Sequence, residues 1–360
     1  MVIIEAGTGR KIFSDVISFR GSYYDFGKMQ GSRLKESLLF EYHKRRRKKS
    51  RRKYSVDFME ARKIFLRYVP GLWEELEGLA DGLGWSIEEV AHEYSGWQQE
   101  WEGSGCSIFT SKDFMARNYD YYPKTYEGRF MLFDPTDGYA TIGPAQRIIG
   151  RTDGMNEHGL SVGYNFVNRI KPLDGLICCT ITRFILETCK TTEEAVDLLH
   201  ELPHRHSFNY VIFDRHRRSA IVEGSPRGVK SRDGFVCTNH FNNIPAENRR
   251  HLGSSKERLK IMEGDVSEVE TPKEAFLYLN EANGPIFSKK YDRWDGTIHT
   301  STYQTSNLNV WFGVGGDATP VKFDFRRWLQ GERNQVKKIL GILDTSVPIP
   351  YMDGLTSRKT

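Results

Sequence analysis

Cys106 follows Gly105 at the point where the character of the chain changes. The sequence before this pair predicts mostly helices, whereas the sequence from Cys106 onward predicts strands. If the peptide bond between the two residues were cut, Cys106 would gain a free α-amine. One residue would then supply both a nucleophile and a general base, because an α-amine has a reference pKa of about 7.7–8.0 and a thiol one of about 8.5.

This arrangement suits the cleavage of amides. Attack by the sulfur on a carbonyl carbon would give a thioester, which divides one difficult step into two easier ones. Gly105 has no side chain to obstruct that attack and tolerates a strained backbone, and the segment 102–105 is typical of a flexible linker. A Gly-Cys pair alone is equally typical of a buried structural cysteine after a turn, so the prediction depends on residues elsewhere.

Size and composition indicate a globular protein. The chain has 360 residues, enough for one large domain or two, with 38% hydrophobic and 28% charged residues. No apolar run approaches the roughly 20 residues that span a bilayer. The first residues, Met1 to Gly7, lack the layout of a secretory signal. We therefore expect a cytoplasmic protein that has no membrane partner.

The net charge of +5 comes from one segment. Nine Lys and Arg residues lie between positions 44 and 53, and without them the chain would carry a net charge of −4. Such a run is typical either of a patch that binds nucleic acid or another anionic surface, or of the solvated face of a helix. Few aromatic residues interleave with these charges and no nucleic-acid-binding motif follows, which favours the solvated helix and predicts no nucleic-acid partner.

The cysteines and histidines do not indicate a disulfide framework or a metal site. Five cysteines are present, an odd number without paired spacing, and no ligand spacing typical of zinc occurs. His204 and His206 flank an arginine in a polar segment and are predicted to lie at the surface.

Helix signals are clearest before Cys106, and alternating strands dominate after it. Leu72, Leu76, Leu79 and Leu83 recur at helical spacing, and Ser86 to Glu89 has the pattern of a capping box. In the later part, Thr271-Pro272 predicts a helix start. The many paired strands among two or three helices predict a mixed α and β protein.

Short segments along nearly the whole chain form a recognisable series. In order they are Phe19-Arg20-Gly21-Ser22 with Gly27 and Gly31, residues 74–82, Gly105-Cys106-Ser107, Arg117-Asn118-Tyr119-Asp120, residues 154–160, Tyr164-Asn165-Phe166, Thr238-Asn239-His240-Phe241 and residues 254–258. The series resembles the acyl-coenzyme A:6-aminopenicillanic acid acyltransferase family of N-terminal-nucleophile proteins. It is more distantly similar to choloylglycine hydrolases and penicillin V acylases.

The resemblance implies an α+β fold, the αββα sandwich, in which two stacked antiparallel sheets lie between outer layers of helices. It also implies a zymogen that cleaves itself before Cys106. Residues 1–105 would be a helical pro-segment that becomes a small chain, and residues 106–360 would be the catalytic domain. We expect the two chains to remain associated, because the apolar helices before Gly105 need a partner to cover them.

Arg117 and Asp120 lie three positions apart on a strand that could return toward Cys106. A guanidinium near the sulfur would favour the thiolate, and a carboxylate near the α-amine would orient that amine. The same pair resembles the arginine and aspartate that the family uses around its cysteine. A strand-end salt bridge without a catalytic role is the alternative.

The resemblance also implies donors for the oxyanion that develops during acyl transfer. Asn239 is the candidate for a side-chain donor and Asn165 for a backbone N–H donor. Arg258 resembles an arginine that lies near the nucleophile in the family. The alternative for each asparagine is a turn residue that bonds to its own backbone.

An acyl pocket is predicted from aromatic residues, although aromatic residues in strands more often belong to the core. The candidates are Tyr119, Tyr121 and Trp311. His158 and His240 suggest a Cys-His protease, but neither is needed as a base when an α-amine is available.

The predicted function is an autoprocessed N-terminal cysteine amidohydrolase that cleaves linear N-acyl amide bonds through a thioester. A coenzyme-A-dependent N-acyltransferase is the first alternative, although no Gly-rich phosphate-binding loop is evident. An uncut, non-catalytic binding protein is the second. No cofactor is expected, and coenzyme A would enter only as a co-substrate. Bile-salt conjugates, penicillin V, N-acyl amino acids, acyl-homoserine lactones and peptide-like amides all remain open as substrates, as does a homo-oligomeric state.

Overall fold

The computed structural model describes residues 9–52, 54–101, 103, 105–250, 252, 254–349 and 351–352. The first residues of the chain, Lys53 of the basic run, and the linker residues Glu102 and Ser104 lie outside this description.

The described residues form ten α-helices, five of which precede Cys106. They are α1 (Tyr23–Lys35), α2 (Leu38–Ser50), α3 (Phe58–Tyr68), α4 (Pro70–Leu83), α5 (Ile87–Tyr94), α6 (Cys178–Thr188), α7 (Thr192–Glu201), α8 (Ser255–Asp265), α9 (Pro272–Asn280) and α10 (Phe325–Leu329).

The strands follow Cys106 with one exception, β1, which lies near the start of the chain. They are β1 (Arg10–Gly21), β2 (Gly105–Ser111), β3 (Phe114–Tyr121), β4 (Arg129–Pro135), β5 (Thr141–Gln146), β6 (Gly150–Arg151), β7 (Asp153–Asn156), β8 (Ser161–Asn168), β9 (Ser207–Phe213), β10 (Ser219–Ser225), β11 (Gly228–Asp233), β12 (Val236–Cys237), β13 (Lys289–Lys290), β14 (Asp295–Gln304), β15 (Asn309–Val314), β16 (Val321–Asp324) and β17 (Lys338–Leu343).

These strands form two sheets. The larger sheet has the order β11-β10-β9-β8-β7-β5-β4-β1-β17, with β6 paired to β5. The smaller sheet has the order β12-β2-β3-β14-β15-β16, with β13 paired to β14. Cys106 therefore lies on a strand of the smaller sheet that is hydrogen-bonded on both sides.

The sheets stack face to face between two helical layers. Helices α6 and α7 pack on the larger sheet, and α8 and α9 pack on the smaller one. Strands β2 and β8 contact each other across the space between the sheets. The predicted αββα sandwich is confirmed, with one difference from two purely antiparallel sheets, because β1 runs parallel to β4. A parallel pair needs a long crossover connection, which here comprises α1 to α5 and strands β2 and β3 of the other sheet.

Strand β1 lies inside the larger sheet, between β4 and β17. A twelve-residue strand from the region before Gly105 therefore shares main-chain hydrogen bonds with two strands from the region after it. This gives a physical reason for the two parts to stay together after any cut at Gly105, in addition to the covering of apolar helices.

The glycines of the N-terminal motifs allow α1 and α4 to approach each other closely. A Cβ added at Gly27 would lie 2.0 Å from the carbonyl O of Glu75, and one added at Gly78 would lie 1.9 Å from the carbonyl O of Tyr24. Glu75 on α4 also forms a fully buried ion pair with Arg183 on α6, at 3.0 Å. The helices before Cys106 are thus attached to the later layers by both packing and charge.

Most local helix signals are confirmed. Ser86 and Thr271 both form capping boxes. Each side chain accepts a hydrogen bond from the N3 backbone N–H, and the side chain of the N3 glutamate accepts one from the N-cap backbone N–H. Positions 44–50 of the basic run lie on α2, where Arg46 and Arg47 pair with glutamates of α5. The surface prediction for His204 and His206 is wrong. Both are almost fully buried; the His204 ring packs on Tyr210 of β9, and its Nε2 bonds to the Leu199 carbonyl.

No helix of the described residues has the length and apolar character needed to cross a bilayer. The described part of the chain also holds no group of three His, Cys, Asp or Glu side chains arranged to bind a metal ion.

Candidate active site

Cys106 is the second residue of β2 and lies opposite Tyr119 on β3. Its side chain is fully buried. Because β2 is bonded on both sides and the sheets stack against it, the sulfur has a fixed position between the two sheets.

The sulfur of Cys106 lies beside a cation rather than in hydrocarbon alone. The Arg117 Nη2 atom is 3.6 Å from Sγ, and Sγ is 3.8 Å from the carbonyl O of Asp120. Burial nevertheless raises the pKa of the Cys106 thiol; the Arg117 charge lowers it and the Asp120 charge raises it further. In the uncut chain the thiol is therefore held in its neutral form.

Arg117 is held in place on every side. Its Nη1 donates to Asp153 Oδ1 at 2.8 Å and its Nη2 to the Tyr164 carbonyl at 2.6 Å. The guanidinium lies between the rings of Tyr119 and Tyr164, at 4.9 and 4.8 Å from their centres. The cation thus has a single position, directed at the sulfur.

Asp153 was not identified from the sequence, which indicated only a turn near this residue. Its carboxylate accepts from three alternate residues of β14: His299 at 3.3 Å, Ser301, and Tyr303 at 2.7 Å. Burial alone would raise the pKa of Asp153, but Arg117 and these hydrogen bonds lower it well below its usual range. The signal that could have found it is the period-2 spacing of the three donors, which places them on one face of a strand.

Asp120 lies on the opposite face of β3 from Arg117, because positions three apart on a strand point in opposite directions. It lies opposite Gly105 in the register, and its Oδ1 accepts from Thr297 at 2.7 Å. Its Oδ2 is buried and has no hydrogen-bond partner among the described residues. Burial and the charge of Asp295 raise the pKa of Asp120 well above its usual value.

Asn239 and Arg258 hold the backbone of Cys106. The Cys106 N–H donates to Asn239 Oδ1 at 2.9 Å, and Arg258 Nη1 donates to the Cys106 carbonyl at 2.8 Å. Arg258 Nη2 also donates to Asn239 Oδ1 at 2.9 Å. Two donors to the same oxygen fix the orientation of the Asn239 amide, so that Nδ2 points the other way, where it donates to the Phe166 carbonyl at 2.9 Å.

Asn165 lies on β8 and is fully buried. Its Nδ2 donates to the Cys237 carbonyl at 2.9 Å, and its Oδ1 has no hydrogen-bond partner in the described part of the chain. The two residues beside it, Tyr164 and Phe166, offer the carbonyls that Arg117 and Asn239 bind. Strand β8 therefore lies next to the residues that surround Cys106. The role of the Asn165 backbone N–H as an oxyanion donor stays a prediction.

Ser255, at the start of α8, was not selected from the sequence as a site residue. Its hydroxyl accepts from the Asn239 backbone N–H at 2.8 Å and contacts His240 Nδ1 at 2.9 Å. This contact connects His240 to the support of Asn239, and no contact of His240 with the Cys106 sulfur appears among the described residues.

A cavity of about 440 Å³ opens beside Gly105. Its lining includes Gly103, Gly105, Phe166, Asn168, Arg169, Ile170, Asn239, Arg249, Leu252, Ser254, Ser255, Arg258, Arg293, Trp294 and Asp295.

None of the three predicted pocket aromatics is among the described residues that line this cavity. Tyr119 packs under the sulfur between Arg117 and His299, and Tyr121 packs on Trp101. Trp311 is on β15, three strands from β2, and contacts Lys322. Phe166 and Trp294 are the aromatic residues that line the cavity instead.

Asp295 is a second acidic residue that the sequence did not single out. A Cβ added at Gly105 would lie 1.4 Å from Asp295 Oδ1, so the carboxyl group occupies the space that any other residue at position 105 would need. Burial raises the pKa of Asp295, and the charges of Arg258, Lys290 and Arg249 lower it in part.

Two stacked sheets between helical layers, with a cysteine on an inner strand and a glycine before it, define the class of N-terminal-nucleophile folds. The chain belongs to the acyl-coenzyme A:6-aminopenicillanic acid acyl-transferase family, whose family model matches residues 108–319, more than half of its length. The matched region begins just after Cys106 and contains Arg117, Asp120, Asn165, Asn239 and Arg258.

Three solved structures are similar to the chain. Penicillin V acylase from Agrobacterium tumefaciens is 16% identical, with 62% of this chain and 86% of that chain covered and a TM-score of 0.38. A mutant of conjugated bile acid hydrolase from Clostridium perfringens is 14% identical, with 68% and 97% covered and a TM-score of 0.44. The Caenorhabditis elegans ortholog of N-acylethanolamine-hydrolyzing acid amidase is 12% identical, with 56% and 93% covered and a TM-score of 0.39. No curated protein matches the chain.

Proposed function

We propose that the chain is an autoprocessed N-terminal cysteine amidohydrolase that cleaves linear N-acyl amides through a thioester on Cys106. The observation that carries the proposal is the arrangement around this one residue. Its sulfur lies 3.6 Å from Arg117, while its N–H and carbonyl are bound by Asn239 and Arg258. Membership of an acyl-transferase family supports chemistry on acyl groups.

Self-processing would begin with attack of the Cys106 sulfur on the carbonyl carbon of Gly105. The C–N bond breaks, the thiol proton passes to the leaving nitrogen, and Gly105 becomes joined to the sulfur as a thioester. Water then adds to the thioester. The pro-segment is released from the sulfur with a terminal carboxylate, and the thiol is restored beside a new α-amine.

Turnover would repeat the same chemistry on a substrate. The α-amine takes the thiol proton as the sulfur attacks the amide carbonyl, and it returns the proton to the departing amine. Water then resolves the thioester. The Asn239 amide would donate to the oxyanion, and Arg117 would favour the thiolate once the site is opened to solvent.

Asp120 would orient the α-amine. It lies opposite Gly105 in the register, and its buried Oδ2 has no hydrogen-bond partner among the described residues. An ammonium carries more N–H donors than the amide it replaces, so the new terminus has a matching acceptor nearby.

The test is the intact mass of freshly purified protein. Two species that divide before Cys106 support the proposal, whereas one species of 41.6 kDa that persists supports the uncut binding protein. Cys106→Ala should abolish both splitting and turnover. Cys189→Ala is the matched control, because this cysteine is also buried but ends α6 away from the site. Splitting that continues in Cys106→Ala would exclude Cys106 as the nucleophile.

Transfer of an acyl group from coenzyme A is the second candidate, and the family to which the chain belongs favours it. In that case the Cys106 sulfur would displace the thiol of coenzyme A from the acyl group to form the same enzyme thioester, and an acceptor amine rather than water would resolve it. If the mature protein consumes acyl-coenzyme A faster when an acceptor amine is added, the protein is an acyltransferase. If water resolves the thioester at the same rate in either case, it is a hydrolase.

A further inference from the structure

The cavity beside Gly105 has an unusual charge. Four arginines line it, Arg169, Arg249, Arg258 and Arg293, against one carboxylate, that of Asp295. The chain outside its basic run carries a net negative charge, so this concentration of cations is local.

The four arginines have different positions. Arg258 is buried at the base of the cavity, where its donors are engaged with Cys106, Ser107, Asn239 and Ser254. Arg169, Arg249 and Arg293 are exposed at the rim, and none of them forms a close ion pair with a described carboxylate, although Arg249 is near enough to Asp295 to help lower the pKa of that carboxyl group. Arg258 therefore contributes charge, whereas the rim guanidinium groups also have donors available for a ligand.

The cavity also has apolar walls close to these cations. The guanidinium of Arg249 lies 5.5 Å from the centre of the Phe166 ring, and Trp294 is stacked on Tyr122 with 4.3 Å between ring centres. A ligand that fits here has an apolar part and an anionic part, since a guanidinium recognises a carboxylate through paired, charge-assisted hydrogen bonds.

The position of the cavity connects it to the reaction. Gly103 and Gly105 lie in its wall, and in self-processing the chain that ends at Gly105 is itself the acyl group on the sulfur. A substrate whose carbonyl takes the place of the Gly105 carbonyl must extend along the same wall. Its more distant groups then come within reach of the rim arginines.

From this we infer that the substrate of the proposed reaction is an anionic N-acyl amide, whose carboxylate or equivalent anion is bound by Arg249 and Arg293 at the rim of this cavity. The inference rests on the proposed function for the bond that is cleaved. It adds the charge of the substrate and the residues that select it.

The first experiment measures binding without turnover. Split protein whose Cys106 thiol has been blocked with iodoacetamide is titrated with N-phenylacetylglycine and with its neutral primary amide, N-phenylacetylglycinamide, because Cys106→Ala would stay uncut with Gly105 in the place of the substrate. We expect the carboxylate to bind about tenfold more tightly, with a preference that weakens as salt is added. The monobenzylamide of adipic acid, which carries its charge on the acyl half, is compared with its neutral diamide in the same way. A preference for the anion in either pair supports the inference and shows which half of the substrate lies at the rim. Equal binding in both pairs overturns it.

The variants assign the preference to residues. In Arg249→Gln combined with Arg293→Gln, the ratio of affinities should fall to about two or less. Arg250→Gln is the matched control, because Arg250 is the exposed neighbour of Arg249 and does not line the cavity. A ratio that falls equally in the control, or that persists in the double variant, would contradict the assignment.

Turnover separates this inference from the proposed function. If the mature protein hydrolyses the neutral amides as fast as the anions, the amidase stands and the anionic substrate is wrong. If it hydrolyses neither but the thiol-blocked protein still binds the anion through Arg249 and Arg293, the anion site stands and the amidase is wrong. Coenzyme A is a competing anion. If it displaces N-phenylacetylglycine and binds more tightly in an Arg249-dependent manner, the cavity serves acyl transfer and the inference is overturned.

Discussion

The two sides of strand β2 at Cys106 are built in different ways. On the sealed side, between the sheets, Arg117, Asp153 and His299 are fully buried and bonded to one another or to the sulfur. On the open side, Asp295, Asn239 and Arg258 line a cavity beside Gly105. The sealed side fixes one charge against the sulfur, and the open side holds the Gly105–Cys106 peptide beside a cavity.

This division accounts for the protonation state of the buried Cys106 thiol. Burial raises the thiol pKa on the sealed side more than Arg117 lowers it, so the thiol remains protonated while the chain is uncut. Opening the site after a cut would reduce the desolvation and leave the Arg117 charge in place. The two sides should therefore respond differently to substitution.

Removing Arg117 should have the largest effect, because the sealed side holds its charges without water. Arg117→Met leaves the buried Asp153 carboxylate without its cation, with only neutral donors beside it, which should lower the free energy of unfolding by about 3–5 kcal/mol. Denaturant unfolding measures the change. Arg218→Ala is the control, because its ion pair with Glu193 is exposed on both sides and should contribute about 0–1 kcal/mol. If both variants lose the same free energy of unfolding, the sealed side is no more sensitive to the loss of a charge than the exposed surface.

Asn239→Ala tests the open side for chemistry rather than stability. We expect kcat to fall by about 10²–10³ with little change in KM, the effect typical of removing one oxyanion donor. Asn243→Ala is the control, an exposed asparagine four residues later. If KM rises and kcat is retained, Asn239 binds the ground state and does not stabilise the oxyanion.

The sequence could predict the features that are formed by residues close together in the chain, such as helix starts and short motifs. The capping box predicted at Ser86 is confirmed because its partner lies three positions away, and the helix start predicted at Thr271-Pro272 is confirmed because α9 begins at Pro272. The order of the family segments led to Cys106, Arg117, Asn239 and Arg258, which the fold brings together.

What the sequence did not reveal depends on distant contacts. The donors to Asp153 on β14 lie 146 to 150 positions away from it, and Asp295 approaches Gly105 only because β14 pairs with β3. No local pattern connects such residues. The aromatic residues predicted for an acyl pocket are not among the described residues that line the cavity beside Gly105, since alternation along a strand does not show which face meets a cavity.

Because Asp295 fits closely against Gly105, we expect position 105 to accept only glycine without loss of splitting. Gly105→Ala places a Cβ in the space of the Asp295 carboxyl, and we expect splitting to slow by about tenfold or more, in line with overpacking costs of about 1–3 kcal/mol. Gly103→Ala is the control, because its Cβ would meet Phe166 at an ordinary 3.8 Å. The rate of splitting is followed by intact mass. Asp295→Ala in the Gly105→Ala background should restore the rate of splitting. If splitting stays slow in this double variant, glycine is needed at position 105 because of its backbone conformation and not because of the Asp295 carboxyl group.

The smallest expected effect is on pH-dependent stability. Burial raises the pKa of Asp295 more than Arg258, Lys290 and Arg249 lower it, so the folded state disfavours its charge. Asp295→Asn should therefore raise Tm at pH 7. The gain should shrink as the pH falls below the folded pKa, and it should vanish near pH 3, where the carboxyl group is protonated in both states. Asp292→Asn, at an exposed position three residues earlier, should change Tm little at either pH. A lower Tm for Asp295→Asn at pH 7 would mean that Arg258, Lys290 and Arg249 together stabilise the carboxylate more than burial opposes it. Asp295 would then resemble Asp153 on the sealed side, whose charge is stabilised by its partners.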